Sequence, residues 1–250
     1  MNRNKSGAKA QIEEGVQEFE FKKNIRRKNS LSKEEFQQCG VRLTDKQNQL
    51  YKGIRNNILT VVHGPAGTSK TYTTCYTALA LLADKKVEKI IITKPIQESG
   101  ENLGFLPGDA KEKVDPYVQS YYTTFVKIIG KQTTDFLFAS EDIVFEPLAY
   151  MRGSTYDNCI MLLDESQNSS IKQLMLWSTR LGKDAKAVMM GDTSQYDVKK
   201  RDSGYNDFIK MVEGMSDLYL FEFSNEDIVR NKFLIELTNR YDKYRSEHDL

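Results

Sequence analysis

The segment that most constrains this chain is Gly64–Thr71, which reads Gly-Pro-Ala-Gly-Thr-Ser-Lys-Thr. It follows a short β-branched run, Ile58–Val62, and it opens a helical stretch, Lys70–Ala83. Small residues between a strand and a helix let successive backbone N–H groups converge on phosphate oxygens, and the helix N-terminus adds positive potential. The sequence therefore predicts a phosphate-binding loop in the structural context that such a loop requires.

One position departs from the pattern G-x-x-x-x-G-K-[ST], because Ser69 stands where the last glycine is expected. A serine costs little at a negative φ but is strained at a positive one, so we expect Ser69 to adopt an ordinary φ. Lys70 would place its ammonium group against the β- and γ-phosphates, and Thr71 would offer a hydroxyl to Mg²⁺. The alternative interpretation of Gly64–Thr71 is a glycine-rich turn that only caps a helix.

An acidic segment complements the loop. Cys159–Leu163 is an apolar, strand-like run that ends in Asp164 and Glu165. Asp164 would hold Mg²⁺ through water, and Glu165 would polarise an attacking water molecule. The alternative is a pair of acids that stabilises the start of the next helix through its dipole.

Two more polar residues are candidates for the same site. Gln195 follows the apolar run Ala187–Met190 and would lie beside the γ-phosphate, although the segment also fits an Asx-type turn. Arg230, within Glu226–Asn231, offers a cation to a phosphoryl group in the manner of an arginine finger. An arginine at a helix start is, however, usually structural.

The order of the elements predicts an α/β fold with a mainly parallel sheet and helices on both faces. Right-handed crossovers then bring the loops after the strands to one edge, where ligands bind. Thr44 and Gln47 form a predicted capping box that opens a helix through about Arg55. The other strand-like runs are Lys89–Thr93, Ile143–Glu146, Cys159–Leu163, Ala187–Met190 and Leu218–Phe223, and the other helix-length segments are Val114–Ile129, Ile171–Leu181, Asn206–Met211 and Phe233–Tyr244.

Composition excludes several classes of protein. The chain has 250 residues, 39% of them hydrophobic and 28% charged, which is typical of a globular α/β domain. Its longest purely apolar run, Ala78–Ala83, is far below the roughly 18 residues that cross a bilayer. Three widely spaced cysteines, Cys39, Cys75 and Cys159, favour reduced thiols in the cytoplasm. A net charge of +1 means that any polyanion site is local.

Residues 1–40 differ from the rest of the chain in composition and hydrophobic periodicity. We therefore expect a basic, flexible N-terminal arm followed by one domain over residues 41–250. The cluster Lys22–Lys28, with Phe19 and Phe21 beside it, would contact phosphates and bases, or it is a solvated charged surface.

Taken together, these segments resemble the PhoH-like family of P-loop ATPases, which is related to superfamily 1 helicases. The resemblance runs from about Thr44 to Tyr244, and the stretch Leu103–Asp109 is particularly distinctive. It further includes Lys94-Pro95, Glu98, Gly100–Asp109, Lys113–Tyr117, Pro147–Gly153, Asp164–Asn168, Gly191–Gln195 and Asp227–Arg230. The chain departs from the family at Ser69, and at Lys94 where an arginine is common. It resembles the compact forms often found in tailed phages.

The resemblance implies a RecA-like fold, ATP with Mg²⁺ as the substrate, and RNA or single-stranded DNA as the polymer. Gln47 would read adenine through its amide, or it serves only in the capping box. Lys94 and Arg152 are candidates for polymer contact, although Arg152 also fits a structural ion pair. The implied nucleotide-binding residues are Gln47, Gly64, Pro65, Ala66, Gly67, Thr68, Ser69, Lys70, Thr71 and Tyr72; the catalytic ones are Lys70, Glu165, Gln195 and Arg230; the metal-binding ones are Thr71 and Asp164.

After Thr44 the chain has residues for a single RecA-like unit, so its ATP cleft needs completion from outside. A neighbouring copy in a ring, donating Arg230, is the simplest completion, and we expect a homo-oligomer, a hexamer by the resemblance. Two other classes stay open at this point: a nucleotide-binding interaction module that has lost hydrolysis, and a small-molecule phosphotransferase.

Overall fold

The computed structural model describes residues 31–95, 110–192, 203–229 and 231–248, and only the backbone of 110–117, 232, 246 and 248. Within these ranges the centre of the fold is a six-stranded parallel sheet in the order β3-β2-β4-β5-β1-β6. The strands are β1 (Leu59–His63), β2 (Lys89–Thr93), β3 (Ile143–Phe145), β4 (Cys159–Leu163), β5 (Lys186–Gly191) and β6 (Leu218–Glu222). The predicted α/β class is therefore confirmed, and each predicted strand lies within one or two residues of its observed bounds.

Helices cover both faces of this sheet, as predicted. They are α1 (Lys33–Gln38), α2 (Asp45–Asn56), α3 (Lys70–Ala83), α4 (Ala110–Ile129), α5 (Lys131–Ala139), α6 (Ile171–Ser178), α7 (Tyr205–Val212) and α8 (Lys232–His248). The described ranges also contain three short 3₁₀ turns, which follow β3, β4 and β6: Leu148–Tyr150, Ser166–Asn168 and Asn225–Asp227. None of the helices in the described ranges is long and apolar enough to cross a membrane.

Two hydrophobic cores lie on opposite faces of the sheet. Alternate strand residues point to opposite faces, so Ile90 and Ile92 join one core while Ile91 joins the other. Helices α1 to α5 bury their apolar sides in the first core, and α6 and α7 bury theirs in the second, around Trp177. The central strands β1, β2, β4 and β5 are buried on both faces, which explains why they read as nearly continuous apolar runs.

The N-terminal boundary of the domain differs from our expectation. Residues 31–40 were expected to belong to the flexible arm, but they contain α1, whose capping box joins Ser32 and Glu35. Leu31 and Phe36 are buried, and the Phe36 ring lies 5.0 Å from the ring of Tyr76 on α3. The flexible-arm interpretation is therefore wrong for residues 31–40. In the sequence, Leu31 and Phe36 stand among charged residues, so no apolar pattern indicates their burial. Residues 1–30, which include Lys22–Lys28, lie outside the described residues.

Helix α5 is a second element that sequence patterning missed. Gly130 has φ +79 and lets the chain turn sharply between α4 and α5. The helix carries two adjacent threonines, which have weak helix propensity, so its sequence gives little local signal. Its stability comes from packing, because Leu137 is completely buried against the first core.

The parallel register brings the carboxyl ends of the central strands to one edge. His63 at the end of β1 pairs with Gly191 at the end of β5, and Leu163 at the end of β4 pairs with Met189. Thr93 at the end of β2 pairs with Leu163 from the other side. The segments that follow these four strands therefore meet at one edge, even though they are far apart in the sequence.

We predict that Phe36→Ala will lower the free energy of unfolding by about 3 kcal/mol, because a buried aromatic ring leaves a cavity against α3. Urea denaturation followed by circular dichroism measures the change. Phe233→Ala is the matched control, since that ring is 69% exposed and its loss should change stability by about 0.5 kcal/mol or less. Equal effects of the two substitutions would show that α1 does not pack on the domain in solution.

Candidate functional site

A cavity of about 450 Å³ opens at the carboxyl edge of the sheet. Its walls come from the loop between β1 and α3, the first turn of α3, the C-terminal half of α4, the ends of β4 and β5, and the segment after β6. The lining residues are Ala66, Gly67, Ser69, Lys70, Thr71, Tyr72, Thr124, Lys127, Asp164, Glu165, Gly191, Asp192 and Val229. The structure therefore brings the predicted loop and the predicted acidic pair to one cavity.

Lys70 is folded against its own loop. Its ammonium group donates hydrogen bonds to the carbonyl oxygens of Gly64 and Pro65, the second at 2.9 Å. Burial lowers the pKa of Lys70, while the nearby carboxylates of Asp192, Asp164 and Glu165 oppose that shift. Lys70 is thus a positive group among the three acids of the cavity, and Lys127 on α4 is a second lysine in the lining.

Ser69 contradicts our expectation of an ordinary backbone conformation. It has φ +66 and ψ +30, in the left-handed region, and stands at the N-cap position of α3. Its carbonyl oxygen accepts the first helical hydrogen bond, from the N–H of Thr73 at 2.9 Å. The loop must therefore reverse direction at Ser69 to enter the helix, a conformation that glycine adopts without strain. The left-handed region costs a non-glycine residue about 1–2 kcal/mol.

Asp164 and Glu165 extend from the end of β4 into the cavity. The backbone N–H of Glu165 donates to Asp164 Oδ1 at 3.1 Å, and Glu165 itself has a left-handed φ of +51. The Glu165 carboxylate accepts a hydrogen bond from Gln167 Nε2 at 2.8 Å and lies 3.9 Å from Lys94 Nζ. Burial, and next the charge of Asp164, raise the pKa of Glu165, while Gln167, Lys94 and Lys70 oppose the shift.

Neutral groups back the acidic pair on its buried side. Cys75 on α3 and Tyr121 on α4 are both completely buried. Burial raises the pKa of each well above its ordinary value, and the neighbouring Asp164 carboxylate adds to both shifts. Both groups therefore favour their uncharged forms beside Asp164.

Other predicted site residues lie away from the cavity lining. Gln47 forms the predicted capping box with Thr44, accepting from its N–H at 3.0 Å, so the capping interpretation is confirmed. Thr68 is buried and donates to the Pro65 carbonyl, which makes it a structural member of the loop. Arg152 is exposed on the loop between β3 and β4.

The predictions for Gln195 and Arg230 fall on residues 193–202 and 230, which lie outside the described residues. Their neighbours are informative. Val229, which precedes Arg230, lines the cavity and donates its N–H to the Gly67 carbonyl at 3.2 Å. Asp192, three residues before Gln195, is a buried wall residue at the end of β5.

Sequence reasoning missed several residues of the site. Asp192 follows an apolar strand as Asp164 does, so the same reasoning could have found it. Gln167 stands two residues after Glu165 and was not given a role. Thr124 and Lys127 face the cavity from α4, a helix whose local sequence gives no hint of a phosphate site.

The residues present fit a magnesium-bound nucleotide. Thr71 and Asp164 bring a hydroxyl and a carboxylate to the same cavity, and both are hard oxygen donors. In the described part of the chain no group of three or more His, Cys, Asp or Glu residues could hold a metal ion alone. Mg²⁺ commonly takes one or two protein ligands and completes its shell with phosphates and water, so this sparse donor set suits it.

These features define a P-loop nucleotide-binding protein with the predicted RecA-like fold. The family described as "PhoH-like protein" matches residues 41–242, and the chain belongs to this family. A PhoH-like protein of Bacillus subtilis is 39% identical over 198 residues, covering 79% of this chain and 62% of the relative. Protein PhoH of Escherichia coli is 34% identical over 183 residues, covering 72% and 52%. The chain thus spans about half to three-fifths of the length of these relatives.

Two solved structures are also similar to this chain. The SWI2/SNF2 ATPase core of Sulfolobus solfataricus in complex with double-stranded DNA has a TM-score of 0.48 and 11% identity, covering 76% of this chain and 46% of its own. The Pif1 helicase of Candida albicans has a TM-score of 0.37 and 13% identity, covering 74% and 40%.

We predict that Ser69→Gly will raise the free energy of unfolding by about 1 kcal/mol, because glycine removes the cost of the left-handed backbone. Chemical denaturation without nucleotide measures the gain. In Ser120→Gly, the same substitution in the middle of α4, stability should instead fall by about 0.5–1 kcal/mol. A loss at position 69 would contradict the left-handed assignment.

Proposed function

We propose that this protein binds ATP with Mg²⁺ and hydrolyses it to drive movement or remodelling of RNA or single-stranded DNA. The observation that carries the proposal is the position of Lys70 and the Asp164–Glu165 pair on the walls of one cavity. A lysine at the start of a helix and two acids at a strand end are the groups that phosphoryl transfer to water requires.

Lys70 has to change partners for a triphosphate to bind. Its ammonium group now donates to carbonyl oxygens of its own loop, and phosphate oxygens are stronger acceptors than carbonyls. The converging N–H groups of the loop and the positive end of α3 add to the attraction. The bound Mg²⁺, held by Thr71 and Asp164, would neutralise charge on the β- and γ-phosphates.

Glu165 is the group that would orient and deprotonate the attacking water. Its raised pKa makes the carboxylate a better proton acceptor than an exposed glutamate. We propose that Gln195 contacts the γ-phosphate and signals its loss. Asp192, which lies on the cavity wall and precedes Gln195 by three residues in the sequence, supports this role.

The proposed polymer contacts are Lys94 and Arg152. Lys94 follows β2 and approaches Glu165, so a phosphate that attracts this lysine would alter the surroundings of the hydrolytic carboxylate. Arg152 lies one residue from Met151, which is buried and accepts a hydrogen bond from Thr93 through its sulfur. The two basic residues therefore belong to connected segments at the same edge of the sheet. The proposed adenine contact of Gln47 rests on family resemblance alone.

We further propose that the protein works in the cytoplasm as a homo-oligomeric ring, a hexamer, in which a neighbouring copy supplies Arg230. An exposed apolar stripe on α8 supports an interface, since Phe233, Leu237, Tyr241 and Tyr244 recur at helical spacing and are each about half exposed or more.

A second candidate is a nucleotide-binding interaction module that has lost hydrolysis. The strained backbone of Ser69 is the observation that favours it, because the loop that holds the phosphates departs from glycine where glycine fits best. Measured turnover separates the two functions.

We predict that Lys70→Ala will weaken ATP binding about 100-fold, because it removes a charged partner of the phosphates. Glu165→Gln should instead retain ATP affinity within a few-fold and lower kcat by about 10²–10⁴-fold. Phosphate release, with and without RNA and single-stranded DNA, and fluorescent-nucleotide titration are the measurements. The control Glu213→Gln, at an exposed carboxylate on the far end of α7, should behave as wild type. Wild-type turnover in Glu165→Gln would refute the catalytic assignment.

We predict that mass photometry in the presence of Mg²⁺ and ATP will show an oligomer, and that Phe233→Asp with Tyr241→Asp will convert it to monomers. Both side chains are exposed on α8, so the change should leave the monomer folded. The control for helix stability is Glu236→Asp. Together with the native Asp242, it gives α8 two aspartates without removing an exposed aromatic ring. A wild-type protein that stays monomeric with ATP would contradict the ring.

A further inference from the structure

A buried glutamine joins two strand ends beneath the hydrolytic carboxylate. The side chain of Gln167 is almost fully buried, with 1% of its surface exposed. Its Nε2 donates to Glu165 Oε2 at 2.8 Å, and its Oε1 accepts from the backbone N–H of Asp192 at 3.1 Å. One amide therefore connects the second residue after β4 with the first residue after β5.

The orientation of this amide is fixed by chemistry. A backbone N–H can only donate, so the amide oxygen of Gln167 has to face Asp192. The amide nitrogen then faces the Glu165 carboxylate, which can only accept when it is ionised. A flipped amide would lose both hydrogen bonds and leave two polar groups without suitable partners in a buried place.

The backbone that carries Gln167 is also held in place. It lies in the 3₁₀ turn Ser166–Asn168, where the N–H of Asn168 donates to the Glu165 carbonyl at 2.9 Å. The buried hydroxyl of Ser166 donates to the carbonyl oxygen of Met190 on β5 at 2.6 Å. Two hydrogen bonds thus connect the turn to the end of β5, one from Ser166 to Met190 and one from Asp192 to Gln167.

Glu165 needs such support because its other contact is looser. The Lys94 ammonium lies 3.9 Å from Glu165 Oε1, which is beyond hydrogen-bond distance. The hydrogen bond to Gln167 therefore determines that Oε2 is the engaged carboxylate oxygen, and it leaves Oε1 on the side of Lys94.

We propose that Gln167 is a positioning residue, which holds the Glu165 carboxylate in place for water activation by anchoring it to the end of β5. The inference rests on the proposed hydrolytic function of Glu165. It assigns to Gln167 an effect on the rate of hydrolysis and not on the affinity for nucleotide, because the amide contacts the carboxylate rather than the phosphate loop. A displacement of about 1 Å at a reacting group can cost about 100-fold in rate.

The test is Gln167→Met, which keeps the length and volume of the side chain and removes both hydrogen bonds. We expect kcat to fall 10- to 100-fold while the Kd for a fluorescent ATP analogue changes less than about 3-fold. Gln173→Met is the matched control. Gln173 closes the capping box of α6 with Ser170, so this variant loses hydrogen bonds and some stability without touching Glu165. Its kcat should stay at the wild-type level.

A double-mutant cycle separates positioning from general damage to the fold. In the Glu165→Gln background there is no carboxylate to position, so adding Gln167→Met should leave the residual single-turnover rate unchanged. A further loss of rate in that background would overturn the proposal, as would an unchanged or increased kcat in the single variant. A parallel fall in kcat and affinity would likewise identify Gln167 as merely structural.

If Gln167→Met fails to fold, Gln167→Glu provides the second variant, because its carboxylate still accepts from the Asp192 N–H but cannot donate to Glu165 when ionised. We expect a fall in kcat there too, and full wild-type turnover would overturn the proposal. Absence of hydrolysis by the wild-type protein would overturn the proposed function and this inference together. Normal wild-type hydrolysis with an unaffected Gln167→Met would overturn the inference alone.

Discussion

The parallel alignment of β1, β5 and β4 is the constraint on which the site depends. Because these strands run in one direction and in one register, the loop before Lys70 and the acids after β4 open onto a single cavity. An antiparallel neighbour would send one of the two segments to the opposite edge. The buried, apolar character of the strands secures this register, since a shift by one residue would turn each strand's side chains to the wrong core.

The electrostatics of the cavity follow from this convergence. Three carboxylates and Lys70 share a partly buried space, and burial shifts the pKa of Lys70 downward and that of Glu165 upward. Each shift is opposed by attraction between the lysine and the acids. Such a cluster suits a ligand that brings both negative phosphates and a divalent cation, because the ligand then satisfies charges of both signs.

Support around the Glu165 carboxylate comes from uncharged neighbouring groups. Gln167 connects Glu165 to β5, and Ser166 fastens the same turn to the Met190 carbonyl. Cys75 and Tyr121 remain neutral behind Asp164. Side chains and backbone groups of neighbouring strands and helices therefore hold the Glu165 carboxylate and its turn in place. Contacts of this kind fix the geometry of a binding or catalytic site.

Sequence by itself determined the elements whose signal is local: the phosphate loop, the apolar strands, the acids after Leu163, and the capping box of Thr44 and Gln47. Tertiary structure decided the rest, because each remaining feature depends on a distant partner. Ser69 has a left-handed backbone because the chain enters at this point a helix that is packed on the sheet. Helix α1 is held on the domain because the Phe36 ring packs against the ring of Tyr76. The hydrogen bond of Gln167 needs the N–H of Asp192, which the pairing of β4 with β5 brings within reach.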